Sequence, residues 1–314
     1  MDMKLITYIL TIAQEGGITK AANKLFITQS ALDQQLLKLE GELGVQLFYR
    51  QRGNLGLTPA GEVYVDYARR ILSLQQEAYR KIHDLADQKR GTLSLAFAPE
   101  RGMEMFANVY PQFYALYPEM NVLPQELNVK RQIELLLRDE LDLGFLTMKE
   151  PSLPALVCRT LLTEEFVLIT PLDHPLAKKA APKGEPLATV DFASLEHVTF
   201  CLMSRTSTQR EMLDPLFAAH NFRPNIFLET ASNRTNVAMV QNGMCCSIVP
   251  YYYAKDNPNI ACFRLSCHPT WNLVACHRRN RYLPMAAEDF VELARRYFEG
   301  ESGDLQTCLK RSRC

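Results

Sequence analysis

The sequence of 314 residues predicts an α/β protein with a helical amino-terminal module, one long helix and two successive α/β cycles. Three observations support this fold class. Leucines recur at helical spacing within residues 18–43, an apolar stripe of the same period runs through residues 59–88, and strand-like and helix-like segments alternate from residue 92 onward. A chain of this length is expected to hold more than one hydrophobic core.

Two short helices joined by a tight turn are predicted within residues 18–43, after a first helix over residues 1–16. Leu32, Leu36, Leu39 and Leu43 recur at i, i+4, i+7 and i+11 and therefore share one helix face. Thr28 is a good N-cap, because its hydroxyl can accept from a free N–H of the first turn. The pattern is typical of a helix-turn-helix, and a polar face on an ordinary helical bundle is the alternative.

The opposite face of the second helix is polar at its amino-terminal part. The residues turned away from the leucines are Ser30, Gln34, Leu37, Lys38 and Gly41, with Asp33 on the shoulder. A glutamine can bond adenine through N6 and N7, a serine can serve either base type, and an aspartate can accept from cytosine N4. This face therefore has the chemistry to read base edges in a major groove.

The segment 16–50, followed by Leu57–Gly61, resembles the amino-terminal domain of LysR-type transcriptional regulators. The matching residues are Ala21-Ala22, Leu25, Gln29-Ser30-Ala31-Leu32, Leu39-Glu40, Leu43-Gly44, Leu47-Phe48, Arg50, Leu57-Thr58 and Ala60-Gly61. The resemblance implies a winged helix-turn-helix that binds double-stranded operator DNA, with a wing over residues 51–57. It also implies that the protein regulates transcription in response to a small molecule.

Carried over position by position, the resemblance implies a set of DNA-binding residues. Thr19 and Lys20 are expected to contact phosphate, and Arg50 and Arg52 to lie near phosphate or the minor groove. The contacts to the groove and backbone are assigned to Gln29, Ser30, Asp33, Gln34 and Lys38, together with the cap residue Thr28. Two positions depart from the family pattern, because Asp33 stands where serine is common and Leu37 where a basic residue is common. Since phosphates repel a carboxylate, Asp33 either reads a cytosine or lowers non-specific affinity.

The charge balance argues against a protein that coats nucleic acid indiscriminately, because Lys+Arg and Asp+Glu both number 35. DNA binding must therefore depend on where the basic side chains point and on doubling of the sites in an oligomer. No amino-terminal signal sequence is recognisable. No segment approaches the roughly 18 consecutive apolar residues of a membrane span. A cytoplasmic protein without membrane association is expected.

The nine cysteines are odd in number and lack C-x-x-C spacing, which indicates neither a disulfide framework nor a zinc site. Their positions are Cys158, Cys201, Cys245, Cys246, Cys262, Cys267, Cys276, Cys308 and Cys314. Buried reduced thiols are the expected state. The alternative is a redox-sensing regulator that uses Cys262 with Cys267, or the vicinal Cys245-Cys246. The resemblance does not favour it, since Ser207 stands where the family's peroxide sensors carry their reactive cysteine.

A helix of about eight turns is predicted from Pro59 to about residue 88, with Thr58 as its N-cap. Its apolar stripe consists of Val63, Tyr67, Ile71, Leu74, Ala78, Ile82 and Leu85. Such a stripe needs a partner, and antiparallel pairing with a second subunit competes with packing onto its own domain. The resemblance implies a linker helix and a homodimer seam, favours a homotetramer, and makes RNA polymerase a further candidate partner.

The remainder of the chain predicts two α/β cycles and a last helix. Strands are predicted at 92–97, 121–127, 141–146, 166–169, 198–203, 225–229, 246–249 and 271–276, and helices at 103–117, 129–139, 208–219, 233–242 and 284–298. The resemblance implies a periplasmic-binding-protein-like effector domain of two α/β subdomains. The predicted divisions are 1–58, 59–89, 90–300 (subdomain I 90–162 and 268–300, subdomain II 163–267) and a poorly ordered polar tail over 301–314.

A small-molecule site is predicted in the cleft between the subdomains, where the strands end. The candidate residues are Pro99, Glu100, Arg101, Gly102, Asn128, Ser204, Arg205, Thr206, Ser207, Thr208 and Asn233. Hydroxyls and free N–H groups at a helix start, with two arginines, suit a carboxylate or phosphate, whereas Glu100 favours an amine or pairs with an arginine. The prediction is a small anionic or zwitterionic effector, and ordinary helix caps are the alternative.

An enzyme is not expected on this scaffold. The six histidines, His83, His174, His197, His220, His268 and His277, are scattered without metal-ligand spacing or a neighbouring nucleophile. No G-x-G-x-x-G or P-loop motif occurs. Neither a cofactor nor a metal is predicted.

Overall fold

The computed structural model describes residues 2–51, 54–86, 89–182 and 184–310, with side chains described except at 50, 51, 54 and 301–310. The chain forms two compact units, Met1–Gln88 and Lys89–Cys314. Within the described ranges, no helix is both long and apolar enough to cross a membrane.

The first unit contains the predicted helix pair and a hairpin. Its elements are α1 (Met3–Glu15), α2 (Ile18–Lys24), α3 (Gln29–Leu43), β1 (Phe48–Gln51), β2 (Asn54–Leu57) and α4 (Pro59–Leu85). Strands β1 and β2 are antiparallel and form the wing. Both predicted N-caps are confirmed, because Thr28 Oγ1 accepts from the amide of Ala31 at 3.2 Å and Thr58 Oγ1 from that of Gly61 at 3.0 Å.

The core of the first unit uses the predicted leucine ridge with one exception. Leu32, Leu36 and Leu39 are buried, but Leu43 is 47 % exposed because α3 ends there and Gly44 turns the chain at a φ of 71°. The buried residue at this end is Glu40. Its Oε1 accepts from the amides of Leu47 at 2.7 Å and Phe48 at 3.3 Å, so a carboxylate holds the start of β1 against α3.

Helix α4 packs on the first unit mainly through residues outside the predicted stripe, of which only Ile71 is packed against that core among the described residues. Tyr64, Val65 and Ala68 are buried in the core of that unit. The stripe residues Val63, Tyr67, Leu74, Ile82 and Leu85 remain exposed. Packing within its own unit therefore leaves an apolar surface on α4 uncovered.

The second unit alternates strands and helices. Its elements are β3 (Arg90–Phe97), α5 (Arg101–Leu116), β4 (Glu119–Glu126), α6 (Val129–Leu137), β5 (Leu143–Met148), β6 (Leu156–Pro171), β7 (Thr189–Val190), β8 (Thr199–Met203), α7 (Thr208–Ala219), β9 (Asn225–Thr230), α8 (Asn233–Gln241), β10 (Ser247–Pro250), β11 (Ile260–Leu265), β12 (Thr270–Arg278) and α9 (Met285–Lys310). Short 3-10 turns lie at Pro175–Lys179, Phe192–Leu195 and Tyr251–Tyr253.

Strand β6 runs through both halves of this unit. The main sheet has the order β4-β3-β5-β12-β6-β11-β7, β10 also pairs with β6, and β8 pairs with β9. The first part of β6 pairs with β12, and its last part pairs with β10 and β11. The predicted subdomain boundary between residues 162 and 163 thus lies inside one continuous strand. The two halves share a strand, which fixes the cleft between them.

Several predicted boundaries in the second unit need correction. The sequence predicts only residues 166–169 of β6, because the charged residues Arg159, Glu164 and Glu165 interrupt its apolar pattern, and it predicts neither β7 nor β11. Helix α9 extends to Lys310, past the predicted end at residue 298. Residues 311–314 of the predicted tail lie outside the described residues.

Candidate functional site

The predicted DNA-reading residues converge at the amino-terminal end of α3. Gln29, Ser30 and Gln34 are exposed there, and Thr19 Oγ1 at the start of α2 donates to Gln29 Oε1 at 3.0 Å. The Oγ atoms of Thr28 and Ser30 lie 3.3 Å apart. The starts of α2 and α3 therefore form one surface of hydroxyl and amide groups.

The charged members of the predicted set border this surface. Lys20 and Lys38 are exposed, and Lys38 Nζ lies 4.0 Å from Glu42 Oε1. Asp33 is half-buried. Arg50 lies in β1 opposite Leu55 with its side chain not described, and Arg52 lies outside the described residues. Phe26, which no pattern in the sequence singles out, is 95 % exposed in the turn at a φ of 55°.

The second unit contains a cavity of about 470 Å³ lined from both of its halves. Nine of the predicted effector residues line it, namely Pro99, Glu100, Arg101, Asn128, Ser204, Thr206, Ser207, Thr208 and Asn233. The other lining residues are Ala98, Val129, Lys130, Ile133, Thr147, Met203, Gln209, Glu211, Ala231, Tyr253 and Trp271. The amino termini of α6, α7 and α8 all reach this cavity, so the first turns of three helices converge on it.

Two predicted effector residues do not line this cavity. Gly102 is buried against Phe97, where an added Cβ would lie 3.1 Å from the Phe97 Cβ, so its small size serves packing. The Arg205 side chain is 77 % exposed, and its Nε donates to Glu229 Oε1 at 3.1 Å. The structure therefore removes the geometric basis for assigning either residue to the effector.

Arg101 reaches the cavity wall as half of a buried ion pair. Its Nε and Nη2 donate to Glu164 Oε1 at 3.0 and 2.7 Å, and both side chains are 2 % exposed. The Arg101 guanidinium also stacks on the Tyr252 ring at 3.6 Å, and Trp271 Nε1 donates to Glu164 Oε2 at 2.9 Å. The prediction that Arg101 offers its charge to the effector needs correction, because Glu164 already compensates that charge.

Glu100 occupies the amino terminus of α8. Its carboxylate accepts from Ser232 Oγ at 2.6 Å, from the amide of Asn233 at 3.1 Å and from that of Arg234 at 3.4 Å. The Glu100 backbone holds the unusual φ of 60° and ψ of −87°. This carboxylate spans the cleft from the end of β3 to α8. It therefore serves as a helix cap, and not as the predicted partner of an arginine.

Tyr253 borders the same carboxylate at the cavity wall. Its phenol hydrogen-bonds Glu100, and burial, followed by the nearby negative charge of Glu100 and Glu164, raises the pKa of the Tyr253 phenol. A phenol with a raised pKa remains neutral and able to donate. Tyr253 thus helps to hold Glu100 in place.

Helix α7 begins with its own serine cap, as α8 does with Ser232, but among the described residues no carboxylate from another element accepts from its first amides. The cap of α7 is its own Ser207, whose Oγ accepts from the amide of Arg210 at 3.2 Å. Ser204, Thr206 and Thr208 place further hydroxyls on the cavity beside this first turn. A helix amino terminus with several hydroxyls is a favourable place for an anion.

Two residues of the cavity wall carry a buried amide oxygen that has no hydrogen-bond donor among the residues described. Gln209 is 1 % exposed and its Nε2 donates to the carbonyl of Ile248 at 2.6 Å, while its Oε1 has no partner within the described part of the chain. Asn233 is 4 % exposed, and its Oδ1 likewise has no partner among the residues described. Buried acceptors without donors are costly. The sequence pattern does not reveal Gln209, because its burial depends on packing against β10.

The cysteine pairs predicted for a redox switch are poorly suited to it. Burial raises the pKa of Cys262 and Cys246 to about 12, and it also raises the pKa values of Cys245 and Cys267. A thiol with a raised pKa is a weak nucleophile at neutral pH. Within the described ranges, no group of histidine, cysteine and carboxylate side chains is arranged to hold a metal ion.

Comparison with known families matches both units. The model described as "Bacterial regulatory helix-turn-helix protein, lysR family" matches residues 3–62, and "LysR substrate binding domain" matches residues 86–299. A Bacillus subtilis relative, the uncharacterized HTH-type transcriptional regulator YcgK, is 29 % identical, with 94 % of each chain covered.

Solved structures share the fold over nearly the whole chain. A full-length variant of OxyR from Pseudomonas aeruginosa superposes with a TM-score of 0.70 at 25 % identity, covering 94 % of this chain and 95 % of that one. Full-length CbnR complexed with its target DNA has a TM-score of 0.59 at 24 % identity, covering 94 % and 99 %.

Proposed function

The chain belongs to the LysR family of DNA-binding transcriptional regulators, which are not enzymes, and on this premise we propose that a small zwitterionic or hydroxylated carboxylate controls it. The effector occupies the cavity between the two halves of the second unit. The observation that carries the proposal is the contrast between two helix starts on this cavity. Glu100 already fills that of α8, whereas α7 offers Ser207 and neighbouring hydroxyls.

The anionic group of the effector is assigned to the start of α7. Thr206, Ser207 and Thr208 supply hydroxyls there, and Lys130 lies on the cavity wall formed by α6. The positive end of a helix dipole and a lysine both favour a negative charge. A second carboxylate is disfavoured at α8, since Glu100 occupies those amides.

The remaining polar atoms of the wall define the rest of the effector. Gln209 Oε1 and Asn233 Oδ1 are acceptors, so they favour a ligand that carries an ammonium or hydroxyl group. A ligand without such a donor leaves these buried oxygens unpaired, which costs about 1–3 kcal/mol for each. An amino or hydroxy carboxylate satisfies both requirements.

The surface at the start of α3 is proposed to contact the major groove of operator DNA, with the wing beside it. The exposed apolar stripe on α4 supports a homodimer through that helix. A homotetramer and contact with RNA polymerase extend the proposal. Membership of a family of DNA-binding regulators supports a place in the cytoplasm, which we propose for this protein.

Thermal unfolding of the full-length protein with a panel of small molecules tests the effector class. The panel holds amino and hydroxy carboxylates, the unsubstituted carboxylates, and the amide and amine analogue of each. We expect a rise in Tm with amino or hydroxy carboxylates and a smaller rise without the donor group, because a ligand that binds only the folded state stabilises it. Stabilisation by amines or apolar compounds alone contradicts the proposal.

A matched pair of variants places the effector within the cavity. Thr208→Val removes a hydroxyl at the start of α7, and we expect it to abolish most of the ligand-induced rise in Tm. Arg205→Gln changes a neighbouring side chain outside the cavity lining and is expected to leave the rise unchanged. Equal responses of the two variants contradict the assignment of the anion to α7.

A further inference from the structure

We propose that Cys158 and Cys276 form a reversible disulfide when the protein meets a hydroperoxide. Cys158 lies on β6 and Cys276 on β12, and the two residues are direct partners in the antiparallel register. Their thiols hydrogen-bond each other. This site is separate from the effector cavity and from the DNA-reading surface.

The hydrogen-bond pattern of the ladder brings the two cysteines close. The amide of Arg279 donates to the carbonyl of Ala155 at 2.9 Å, so these residues form a hydrogen-bonded pair. Such pairs alternate with non-hydrogen-bonded pairs along an antiparallel ladder, so the pair three places further, Cys276 and Cys158, is non-hydrogen-bonded. The Cα atoms of such a pair are about 4.5 Å apart. That distance lies within the range of roughly 4.4–6.8 Å that a disulfide spans.

The surroundings of the pair identify the attacking sulfur. Cys158 is half-buried and Cys276 is buried, so an oxidant reaches Cys158 first. The hydrogen bond from Cys276, and then the positive charge of Arg279, lower the pKa of the Cys158 thiol. The Arg279 guanidinium is anchored beside it, since Nε donates to the carbonyl of Pro154 at 2.8 Å and Nη2 to that of Leu156 at 3.1 Å. A cation beside a partly accessible thiol is the setting of a reactive cysteine.

The reaction balances with the hydroperoxide as the oxidant. The Cys158 thiolate attacks one peroxide oxygen, the S–O bond forms as the O–O bond breaks, and the departing oxygen takes a proton to leave as water or an alcohol. Cys276 then attacks the Cys158 sulfur, loses its proton, and displaces the hydroxyl as water as the S–S bond forms. Two thiols are oxidised by two electrons, and the hydroperoxide is reduced.

A second thiol pair provides an internal control. Cys201 and Cys245 also hydrogen-bond each other, but both are buried. Burial raises the pKa of Cys201 to about 12, and its Sγ donates to Asn236 Oδ1 at 2.8 Å. Proximity alone predicts that both pairs oxidise, whereas thiolate character and access select Cys158 with Cys276.

Oxidation at this place has a route to the effector cavity. Cys276 packs in an apolar cluster that includes Leu135 and Leu136 of α6. Ile133 packs against the same cluster and lines the cavity. A disulfide between β6 and β12 is therefore connected to one wall of the effector site through this apolar cluster.

Peptide mapping of the full-length protein tests the proposal. The reduced protein is exposed to hydrogen peroxide, its remaining thiols are blocked with N-ethylmaleimide, and the unreduced digest is analysed by mass spectrometry. We expect a Cys158–Cys276 peptide as the dominant cross-link, with a loss of two free thiols, and its disappearance after dithiothreitol. Cys158→Ser and Cys276→Ser should each abolish it, and Cys201→Ser should leave it unchanged.

Two results overturn the proposal. One is a dominant Cys201–Cys245 cross-link, which means that proximity outweighs thiolate character. The other is the absence of any cross-link at Cys158 in wild-type protein whose circular dichroism and Tm show it to be folded. Because these readouts are made on the wild-type chain, misfolding of a cysteine variant does not affect them.

Discussion

The two units present similar recognition groups in opposite ways. In the first unit, Gln29 and Gln34 stand on an exposed helix face behind the cap residue Thr28. In the second, Gln209 follows the cap residue Ser207 but is 1 % exposed at a cavity wall. Exposed groups remain hydrated until DNA binds, so each contact that they make with DNA adds only modestly to the free energy of binding. A recessed oxygen without a donor is costly until its ligand binds. The first arrangement suits a surface with many contacts, and the second suits selection of one small molecule.

The ion pairs of the two units differ in solvent exposure in the same way. Lys38 and Glu42 on α3 are 4.0 Å apart, with side chains 73 and 60 % exposed. Arg101 and Glu164 are 2.7 Å apart and 2 % exposed. Solvent screens the first pair, whereas the second is held where an uncompensated charge is expensive. Substitutions in the two units are therefore expected to differ in the size of their effect as well as in the property that they change.

The largest expected effect is that of Glu164→Gln. Removing the carboxylate leaves the buried Arg101 charge uncompensated, which is expected to lower the free energy of unfolding by about 3–5 kcal/mol. Urea unfolding followed by fluorescence of Trp271, the single tryptophan of the sequence, measures it in the second unit. Glu42→Gln in the exposed pair is the control, with a loss below about 1 kcal/mol by circular dichroism. Equal losses in the two variants would remove the distinction between the units.

The next effect concerns base reading by α3. Gln29→Ala is expected to weaken binding to the specific operator by about 1–3 kcal/mol and to relax the preference at one base position. Titration of labelled duplexes that differ at single positions measures both quantities. Gln35→Ala, which changes an exposed residue of α3 outside the predicted set, is the control and should retain the preference. An unchanged preference in Gln29→Ala contradicts the assignment.

A smaller effect is expected from Lys38→Ala. A phosphate contact carries no sequence information, so affinity should fall alike for all duplexes, and the slope of log K against log salt should become shallower by about one. Binding measured at several salt concentrations on specific and random duplexes separates this effect from base reading. Lys81→Ala on α4 is the control. A loss confined to the specific duplex would show that Lys38 reads a base.

The smallest effect is a pH dependence at Glu229. Hydrogen bonds from Arg210 and then Arg205 hold the pKa of this carboxyl below its usual value. Its contribution to stability is therefore present above the ordinary pKa of a glutamate and is lost as the pH falls through the lowered value of the folded protein. Glu229→Gln should be less stable than wild type at neutral pH and should lose less stability on acidification. Parallel curves of unfolding free energy against pH would exclude this contribution.

Prediction from sequence succeeds where the signals are local. The helix pair follows from the leucine spacing and from the cap at Thr28, and α7 lies at the predicted residues 208–219. Local patterns also place Ser207 and Thr208 at the start of that helix. These features depend on neighbours within a few residues, so a single chain segment contains the information.

The errors occur where distant segments decide the outcome. Glu40 is buried because the start of β1 packs against it. Arg101 is paired with Glu164, which lies in the part of β6 that the sequence does not predict, because charged residues interrupt its apolar pattern. Gln209 acquires its role through the carbonyl of Ile248. Glu100 resembles a free anion in the sequence, but it caps α8 across the cleft. No pattern within one segment reveals these pairings, since each depends on the tertiary fold.

Selection of bound sequences from a random pool of duplexes by the full-length protein tests whether the exposed start of α3 reads operator DNA. At moderate salt, we expect enrichment of one motif made of two related half-sites, because the proposed dimer presents two reading helices. Absence of any enriched sequence, with and without amino and hydroxy carboxylates, would contradict it.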